Sequence, residues 1–289
     1  MQAWRQLALS LYYHASYPYR HWAGRRAARS GRAPVIVLFY HRVADEHPTP
    51  WTISTRLFAR QMDWLRRRFD MISLEEAQRR IRSKTNHRAG VSITFDDGYA
   101  DNGRFALPLL IRERIPCTYF VSVAHVTQRV PFPHDVARAR PLAPNTIDEL
   151  RSLASAGIEI GVHTRTHADL SAVADRDRLY DEVVTAGEEL QRALRRVVRY
   201  FAFPYGQHVN LNDEAFHLAY SAGYEAVCSA YGGFNFPGDD AFHLQRIHGD
   251  HDFLRLKNWA TLDPRKMRVR RYAYGSTVSA AEVEGVSQP

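Results

Sequence analysis

Short apolar segments and amphipathic segments alternate along most of the chain. The run VIVLFY at 35–40 is rich in β-forming residues and predicts a buried strand. Five more short runs predict strands at 91–95, 117–121, 158–162, 200–203 and 225–229. Apolar residues that recur every three or four positions predict helices at 54–69, 102–114, 146–156, 176–196 and 211–222. This alternation predicts an α/β fold with parallel strands, either a barrel or an open sheet.

The two ends depart from this rhythm and divide the chain into three parts. Residues 1–33 mix aromatic residues with arginines, residues 34–264 carry the alternating pattern, and residues 265–289 form a basic and then polar tail. For residues 1–33 a helical appendage packed on the body is favoured. An interfacial membrane segment is the alternative, because basic and aromatic residues together suit a lipid headgroup region.

Two local signals refine the body. The proline-rich stretch 125–145 has few periodic apolar residues and predicts a long loop. The sequence Ser73-Leu-Glu-Glu76 predicts a capping box that opens a further helix.

The composition is that of a folded protein. The 289 residues are 45% hydrophobic and 24% charged, which excludes a disordered chain. The mean hydropathy is −0.41, and no apolar run exceeds about six residues, whereas a transmembrane helix needs about 20. Cys117 and Cys228 lie in apolar surroundings, which predicts two buried thiols and favours a reducing compartment.

The formal charge of +8 comes from the ends of the chain. Of the 39 lysines and arginines, six lie in residues 1–33 and five in 265–271, which leaves 28 in residues 34–264 against 29 of the 31 acids. A neutral body gives no reason to expect a nucleic acid as partner. The apolar stretch from Leu7 to Leu11 is too short for a secretory signal. We therefore expect a cytoplasmic protein whose N-terminal segment can associate peripherally with a membrane face.

Candidate catalytic groups stand directly after predicted strands. In parallel α/β folds such groups collect at the carboxyl ends of the strands, on one face. The strand ends carry Tyr40-His41, Asp96-Asp97-Gly98, His163 with His167, and Pro204-Tyr205-Gly206.

The acidic pair and the two histidines together predict a metal centre. Burying two adjacent carboxylates is costly without a cation, although a helix cap with a first-turn acid would also explain the pair alone. Two histidines four positions apart can reach one ion, but such a pair also arises by chance. One carboxylate and two histidines would leave positions open for water and substrate, while the second carboxylate could act as a base. That combination suits hydrolysis of an amide or an ester.

These residues resemble the motifs of a known family. The sequence is similar to the polysaccharide deacetylases, carbohydrate esterase family 4, in TFDD at 94–97, HTRTH at 163–167 and FAFPYG at 201–206. The similarity extends over roughly residues 34–250. It implies a distorted (β/α) barrel with about seven parallel strands.

The resemblance also implies roles for the site residues. Asp96 would be the general base, and Asp97, His163 and His167 would bind a divalent metal, zinc first, with cobalt, nickel or iron as alternatives. The backbone at Pro204 and Tyr205 would bind substrate at an oxyanion hole.

Two features depart from the family's pattern. The third motif often carries an arginine that contacts the base, but Ala202 stands at that place, and Arg165 is a candidate replacement. The second feature is the general acid that must protonate the leaving amine. His41 resembles the acid of permuted members, which supply it from their first strand, and His248 is the alternative.

The resemblance implies a metal-dependent hydrolase that removes N-acetyl groups from amino sugars of a polysaccharide or glycolipid. An O-acetyl esterase acting on carbohydrate is one alternative, and a carbohydrate-binding pseudoenzyme is another because the arginine is missing. Residues 51–53 and the stretch 125–145 could wall a groove for the acetylated glycan. Trp51 and Tyr99 are candidates for stacking on sugar rings there, with ordinary packing as the alternative.

Overall fold

A nearly closed barrel of parallel strands forms the body of the protein. The structure is a computed structural model that describes residues 2–249 and 251–275. Its strands are β1 Val35–Tyr40, β2 Arg42–Val43, β3 Thr52–Ile53, β4 Asp70–Met71, β5 Gly90–Phe95, β6 Cys117–Val121, β7 Glu159–Val162, β8 Tyr200–Ala202, β9 Ala226–Cys228, β10 His243–Leu244 and β11 Arg246–His248. The six strands that the sequence predicts are all present, and their ends differ from the prediction by at most one residue.

The helices lie mainly between successive barrel strands. They are α1 Gln2–Arg29, α2 Thr55–Arg66, α3 Leu74–Arg82, α4 Ala106–Arg112, α5 Val123–Gln128, α6 Pro133–Val136, α7 Ile147–Ser155, α8 Arg176–Tyr180, α9 Ala186–Leu194, α10 Asp213–Ser221, α11 Phe253–Trp259 and α12 Pro264–Met267. A π-helical turn, Asp181–Thr185, joins α8 to α9, so the helix predicted at 176–196 is continuous but bulged. The predicted start of the helix at 102–114 is instead a 3₁₀ turn, Ala100–Gly103.

Residues 243–248, which form β10 and β11, close the barrel. The strand order is β10-β9-β8-β7-β6-β5-β1-β11, and every pairing is parallel. Only Gln245 separates β10, which pairs with β9, from β11, which pairs with β1. One short segment therefore bridges the two edges of the sheet. Counting it once gives the seven parallel strands that the family resemblance implies, and the barrel prediction is confirmed.

Burial explains why the barrel strands are predominantly apolar. Every residue of β1, β5 and β6 is buried, because helices cover the barrel outside and side chains fill it inside. Cys117 and Cys228 are both buried free thiols, as predicted. The Ser73 hydroxyl accepts from the Glu76 N–H, but the Glu76 carboxylate turns to Arg79 and Arg80, so only half of the predicted capping box forms.

The first helix runs along the outside of the barrel. Near its start Gln6 donates to Asp252, which follows the carboxyl end of β11, at 2.7 Å. At its other end the Ala28 carbonyl lies 2.9 Å from Nδ1 of His87, which precedes β5. The helix thus extends from the carboxyl ends of the strands to their amino ends. Within the described residues, no helix is long and apolar enough to span a bilayer.

The stretch 125–145 and the C-terminal segment are more structured than the sequence predicts. The prediction of one long loop over 125–145 is wrong, since part of α5 and all of α6 lie within it. In the C-terminal segment, Tyr274 stacks on Phe216 of α10 with ring centroids 4.2 Å apart. The rest of the predicted polar tail, residues 276–289, lies outside the described residues.

Candidate active site

The predicted strand-end residues converge at one end of the barrel. His41 follows β1, the acidic pair follows β5, and His163 follows β7. Tyr205 lies after β8, and His248 is the last residue of β11. Because all these strands are parallel, their carboxyl ends share one face, and chemistry that is spread over more than 200 residues of sequence meets there.

Three of these side chains form a group that fits a metal ion. Nε2 of His163 lies 3.6 Å and Nε2 of His167 lies 3.2 Å from Oδ1 of Asp97. One ligand atom from each residue lies within 4.8 Å of the others. Nδ1 of His163 is 2.8 Å from the Ala202 carbonyl, to which it must donate. The neutral ring therefore presents the lone pair of Nε2 to the group.

Burial supports the same assignment. Oδ1 of Asp97 is buried and has no hydrogen-bond partner in the described part of the chain. Burial lowers the pKa of His163 to about 4, so its ring is neutral near pH 7. A buried carboxylate oxygen without a donor, facing neutral imidazole nitrogen, is a donor set suited to a divalent cation.

The second carboxylate is held by an arginine from the closing strand. Nη1 and Nη2 of Arg246 donate to the two oxygens of Asp96 at 2.6 and 2.9 Å. Both side chains are buried. Burial alone raises the pKa of Asp96, but the charge of Arg246, followed by that of His163, outweighs it and lowers the pKa below its ordinary value. Asp96 is therefore an ionised, oriented carboxylate beside the group formed by Asp97, His163 and His167.

Arg246 is itself held on all sides. Its Nε donates to the Ser229 carbonyl at 2.9 Å, and its guanidinium lies over the rings of Phe39 and Phe120. The suggestion that Arg165 replaces the missing arginine is wrong. Arg165 points away from Asp96 and pairs with Glu189 and with Asp181, at 2.5 and 2.7 Å.

The two candidate acids are neighbours. Phe39 and His248 are paired in register across β1 and β11, and the His41 and His248 rings are 5.9 Å apart. Nδ1 of His41 is buried without a hydrogen-bond partner among the described residues. Burial, and next the charge of His41, lower the pKa of His248 to about 3. The structure thus brings both histidines to the same side of Asp96.

A buried glutamate holds the loop that carries the histidines. Glu182, in the π-helical turn, accepts from the Thr166 N–H at 2.9 Å and from its hydroxyl at 2.5 Å. On the other side of the loop, the Thr164 carbonyl accepts from the N–H of Val123 at the start of α5. A π turn commonly marks a functional position in a helix, and here it places an acceptor under the loop that carries His163 and His167. Sequence reasoning missed Glu182, although a lone acid on the apolar face of a predicted helix was a usable signal.

Backbone strain is concentrated in the same motifs. Asp97, Thr164, His167 and Tyr205 all have left-handed φ angles, between 60° and 74°. This conformation is unfavourable for residues other than glycine and persists where the surroundings enforce it. Gly206, with φ +59°, packs so closely that a Cβ would lie 2.7 Å from the Ala230 nitrogen.

Tyr205 and the segment after β6 form the walls of the site. The Tyr205 side chain is 57% exposed, and its ring lies 5.2 Å from that of His167. Opposite, the Phe132 ring lies 5.5 Å from the His167 ring. Tyr99 is fully buried and donates to Asp135, so it is a packing residue and not a sugar platform. Trp51 packs edge-on against His134, with Arg138 over its ring.

Comparison with known proteins identifies the motif-bearing half of the chain. A sequence model described as polysaccharide deacetylase matches residues 83–227, about half of the chain. A chitooligosaccharide deacetylase of Sinorhizobium fredii (strain NBRC 101917 / NGR234) is 32% identical over 141 residues, covering 47% of this chain and 55% of that protein. The matched segments span 52% to 63% of the curated relatives. The matched range includes both acids, both histidines and Tyr205, but not His41, Arg246 or His248.

Solved structures share the fold over most of the chain. IcaB from Ammonifex degensii is 24% identical, with a TM-score of 0.65 over 79% of this chain and 97% of that one. The Streptococcus pyogenes deacetylase PplD is 20% identical, with a TM-score of 0.67 over 81% of this chain and all of that one. The similarity to these structures includes the barrel but leaves part of this chain unmatched.

Proposed function

Because the chain belongs to the polysaccharide deacetylase family, we propose that it hydrolyses N-acetyl groups on amino sugars of a polysaccharide or glycolipid. The observation that carries this proposal is the placement of an ionised carboxylate, Asp96, beside the group formed by Asp97, His163 and His167. A base next to a candidate metal centre is what hydrolysis of an unactivated amide requires.

In this proposal Asp97, His163 and His167 hold one divalent metal ion, zinc first, with cobalt, nickel or iron as alternatives. When bound, such an ion supplies Lewis acidity, which polarises a carbonyl group and lowers the pKa of water. The protein's own part is to orient both imidazole rings toward that ion. The Ala202 carbonyl does this for His163, and the Glu182-supported loop does it for His167.

Asp96 acts as the general base. Its carboxylate accepts a proton from the water that attacks the acetyl carbonyl, while the new C–O bond forms and negative charge develops on the carbonyl oxygen. Arg246 keeps Asp96 ionised before the reaction and fixes its orientation. The backbone N–H of Tyr205, next to Pro204, donates to the developing oxyanion. One such donor contributes about 3–4 kcal/mol to transition-state stabilisation.

A histidine acts as the general acid. It donates a proton to the amide nitrogen as the C–N bond breaks, which releases acetate and the free amine. We assign this role to His41, because its Nδ1 is buried without a partner and the low pKa of His248 leaves that ring neutral near pH 7. His248 then contacts the acid and sets its position.

The test is acetate release from a panel of N-acetylated and O-acetylated glycans, with and without a chelator. The key variant is Asp96→Asn, and Asp148→Asn is its control because that acid is exposed on α7. Metal content is measured for each protein, and zinc, cobalt, nickel and iron are added back after chelation.

We expect chelation to abolish acetate release and one of the metals to restore it. Asp96→Asn should bind metal but lose activity, while Asp148→Asn keeps both. Full activity in Asp96→Asn would refute the assignment of the base. Release from O-acetylated glycans alone would make the protein an esterase. Glycan binding without any release would make it a pseudoenzyme.

A further inference from the structure

The outer face of α1 carries a line of apolar residues in the described structure. The helix packs on the barrel through one face, where Arg20 is buried and Ala23 and Ala27 contact the core. On the opposite face, spacings of four, seven and four align a set that we call the outer stripe. It consists of Leu7, Leu11, Pro18 and Trp22. Leu7 and Leu11 are each 62% exposed and Trp22 is 55% exposed, so the stripe faces outward.

The same line continues into a cluster of arginines. Arg25, Arg26 and Arg29 follow Trp22 at spacings of three, four and seven, and therefore lie on the outer face. The guanidinium of Arg26 lies 5.4 Å from the Trp22 ring. Neither Arg25 nor Arg29 has an ion pair within the part of the chain that the structure describes. Residues 1–33 contain no acid. The arginine cluster is thus an uncompensated positive end of an apolar line.

A cationic cavity of about 340 Å³ lies on the flank of α1, at the end of the barrel opposite the candidate active site. Its lining includes the arginines Arg20, Arg25, Arg68 and Arg88 and the histidines His21 and His87, and no acid, although Arg88 also pairs with Asp70 at 2.9 Å. Arg20 is 3% exposed and donates to neutral oxygens of Ser16, Tyr13 and Thr261. A buried guanidinium that is solvated only by neutral oxygens leaves the cavity with a net positive charge.

We propose that α1 docks the protein on an anionic lipid bilayer. The outer stripe lies in the interface, the arginine cluster contacts lipid phosphates, and the cavity receives one anionic headgroup. Apolar side chains next to a cluster of arginines complement a lipid bilayer, whose acyl chains are apolar and whose headgroups are anionic. No described helix is long and apolar enough to cross a bilayer, and in this proposal α1 lies along the bilayer surface. This surface lies on the side of the barrel and at the end opposite the candidate active site, so membrane binding does not depend on the proposed reaction.

The test is flotation of the full chain with vesicles of phosphatidylcholine, alone or mixed with phosphatidylglycerol. We expect binding to the mixed vesicles that weakens as salt is raised, and little binding to phosphatidylcholine alone. Each basic residue at an anionic surface contributes about fivefold to affinity, so Arg26→Gln/Arg29→Gln should bind about thirtyfold more weakly. The matched control is Arg178→Gln/Arg192→Gln on α8 and α9, which should bind as the unmodified protein does.

A second pair of variants tests the apolar part. Leu7→Gln/Leu11→Gln should reduce vesicle binding. The control Val197→Gln/Val209→Gln, which replaces two exposed valines outside α1, should not. Circular dichroism melting shows whether each variant is folded. Equal loss in the arginine variant and its control would reduce the effect to net charge and overturn the proposal.

Two further results would also refute it. Saturable binding of inorganic phosphate that Arg68→Gln abolishes, with no vesicle binding, would make the cavity a site for a soluble anion. A dimer in sedimentation that Leu7→Gln/Leu11→Gln dissociates, again without vesicle binding, would make the outer stripe an interface between two copies of the chain.

Discussion

Asp96 and Arg246, 150 residues apart in sequence, form a buried ion pair with two parallel hydrogen bonds of 2.6 and 2.9 Å. The acid stands at the end of β5, and the arginine lies in β11, on the other side of β1. The pair therefore crosses three neighbouring strands of the barrel. It joins the candidate base to the segment that closes the sheet.

Breaking this pair should destabilise the protein. Arg246→Met leaves a buried carboxylate without a cation, which costs about 3–5 kcal/mol in the free energy of unfolding. The double variant Asp96→Asn/Arg246→Met should recover part of that loss because the uncompensated charge is gone. Urea denaturation of the two single variants and the double variant measures the coupling. Additive losses would show that the two side chains do not stabilise each other.

Removing the support under the histidine loop should weaken metal binding. In Glu182→Gln the buried acceptor for Thr166 loses its charge, and loss of such a supporting partner typically lowers metal affinity about 10–100-fold. Competition with a fluorescent chelator measures the affinity. Glu188→Gln, an exposed acid on α9, is the matched control and should bind metal normally. Unchanged affinity in a folded Glu182→Gln protein would show that the loop holds its shape unaided.

The general acid can be identified by its dependence on the leaving group. Loss of the acid should lower kcat on an N-acetylated glycan by about 10²–10⁴-fold. The loss should be much smaller on an aryl acetate, because phenolate leaves without protonation. We expect His41→Ala to show this contrast and His248→Ala to affect both substrates alike. The reverse pattern would transfer the role to His248.

The contact between Tyr12 of α1 and Asp263, which holds this helix on the barrel, should weaken as the pH is lowered. The Tyr12 hydroxyl donates to Asp263 at 2.8 Å, and Arg265 pairs with the same carboxylate at 2.7 Å. Burial raises the pKa of Asp263, but the hydrogen bond from Arg265 and others outweigh it, so the pKa is lower than the ordinary value of 3.8. Because the pKa is lower in the folded protein, the ionised carboxylate stabilises the fold at pH values above 3.8. This contribution is lost as the pH falls through the folded-state pKa.

We therefore expect Asp263→Asn to cost about 1–2 kcal/mol in the free energy of unfolding at neutral pH. The difference from the unmodified protein should shrink as the pH is lowered below about 4. Urea denaturation at a series of pH values checks this. A difference that stays constant on acidification would contradict a charged anchor.

The sequence predicts well that Asp97, His163 and His167 come together, because the information for this is local. Each of Asp97, His163 and His167 comes shortly after a predominantly apolar strand, and parallel strands bring their ends together. The predicted strands hold to within one residue for the same reason. The sequence also predicts His41 as a strand-end residue and His248 as the alternative acid, but their order in the chain does not reveal that their rings are neighbours.

Arg246 could not be assigned in the same way. Its partner is 150 residues away, and contact depends on how the sheet closes, which no local pattern encodes. Arg165 lies within the histidine motif HTRTH, yet the loop after β7 turns its side chain toward the π-helical turn and α9, where Asp181 and Glu189 hold it. Proximity along the chain is a poor guide to side-chain direction where the backbone adopts left-handed angles, as it does at Thr164 and His167.

The segment 243–248 also determines when, during synthesis of the chain, Asp96 acquires its partner Arg246. A nascent chain that has emerged only as far as residue 242 already contains β1, β5 to β9 and all three candidate ligands, but it has no cation for Asp96. The charge of that carboxylate is compensated only when the segment that forms β10 and β11 inserts between β9 and β1. The step that prepares the base therefore follows synthesis of the strands that carry the candidate ligands, and catalytic competence would report on completed assembly of the barrel.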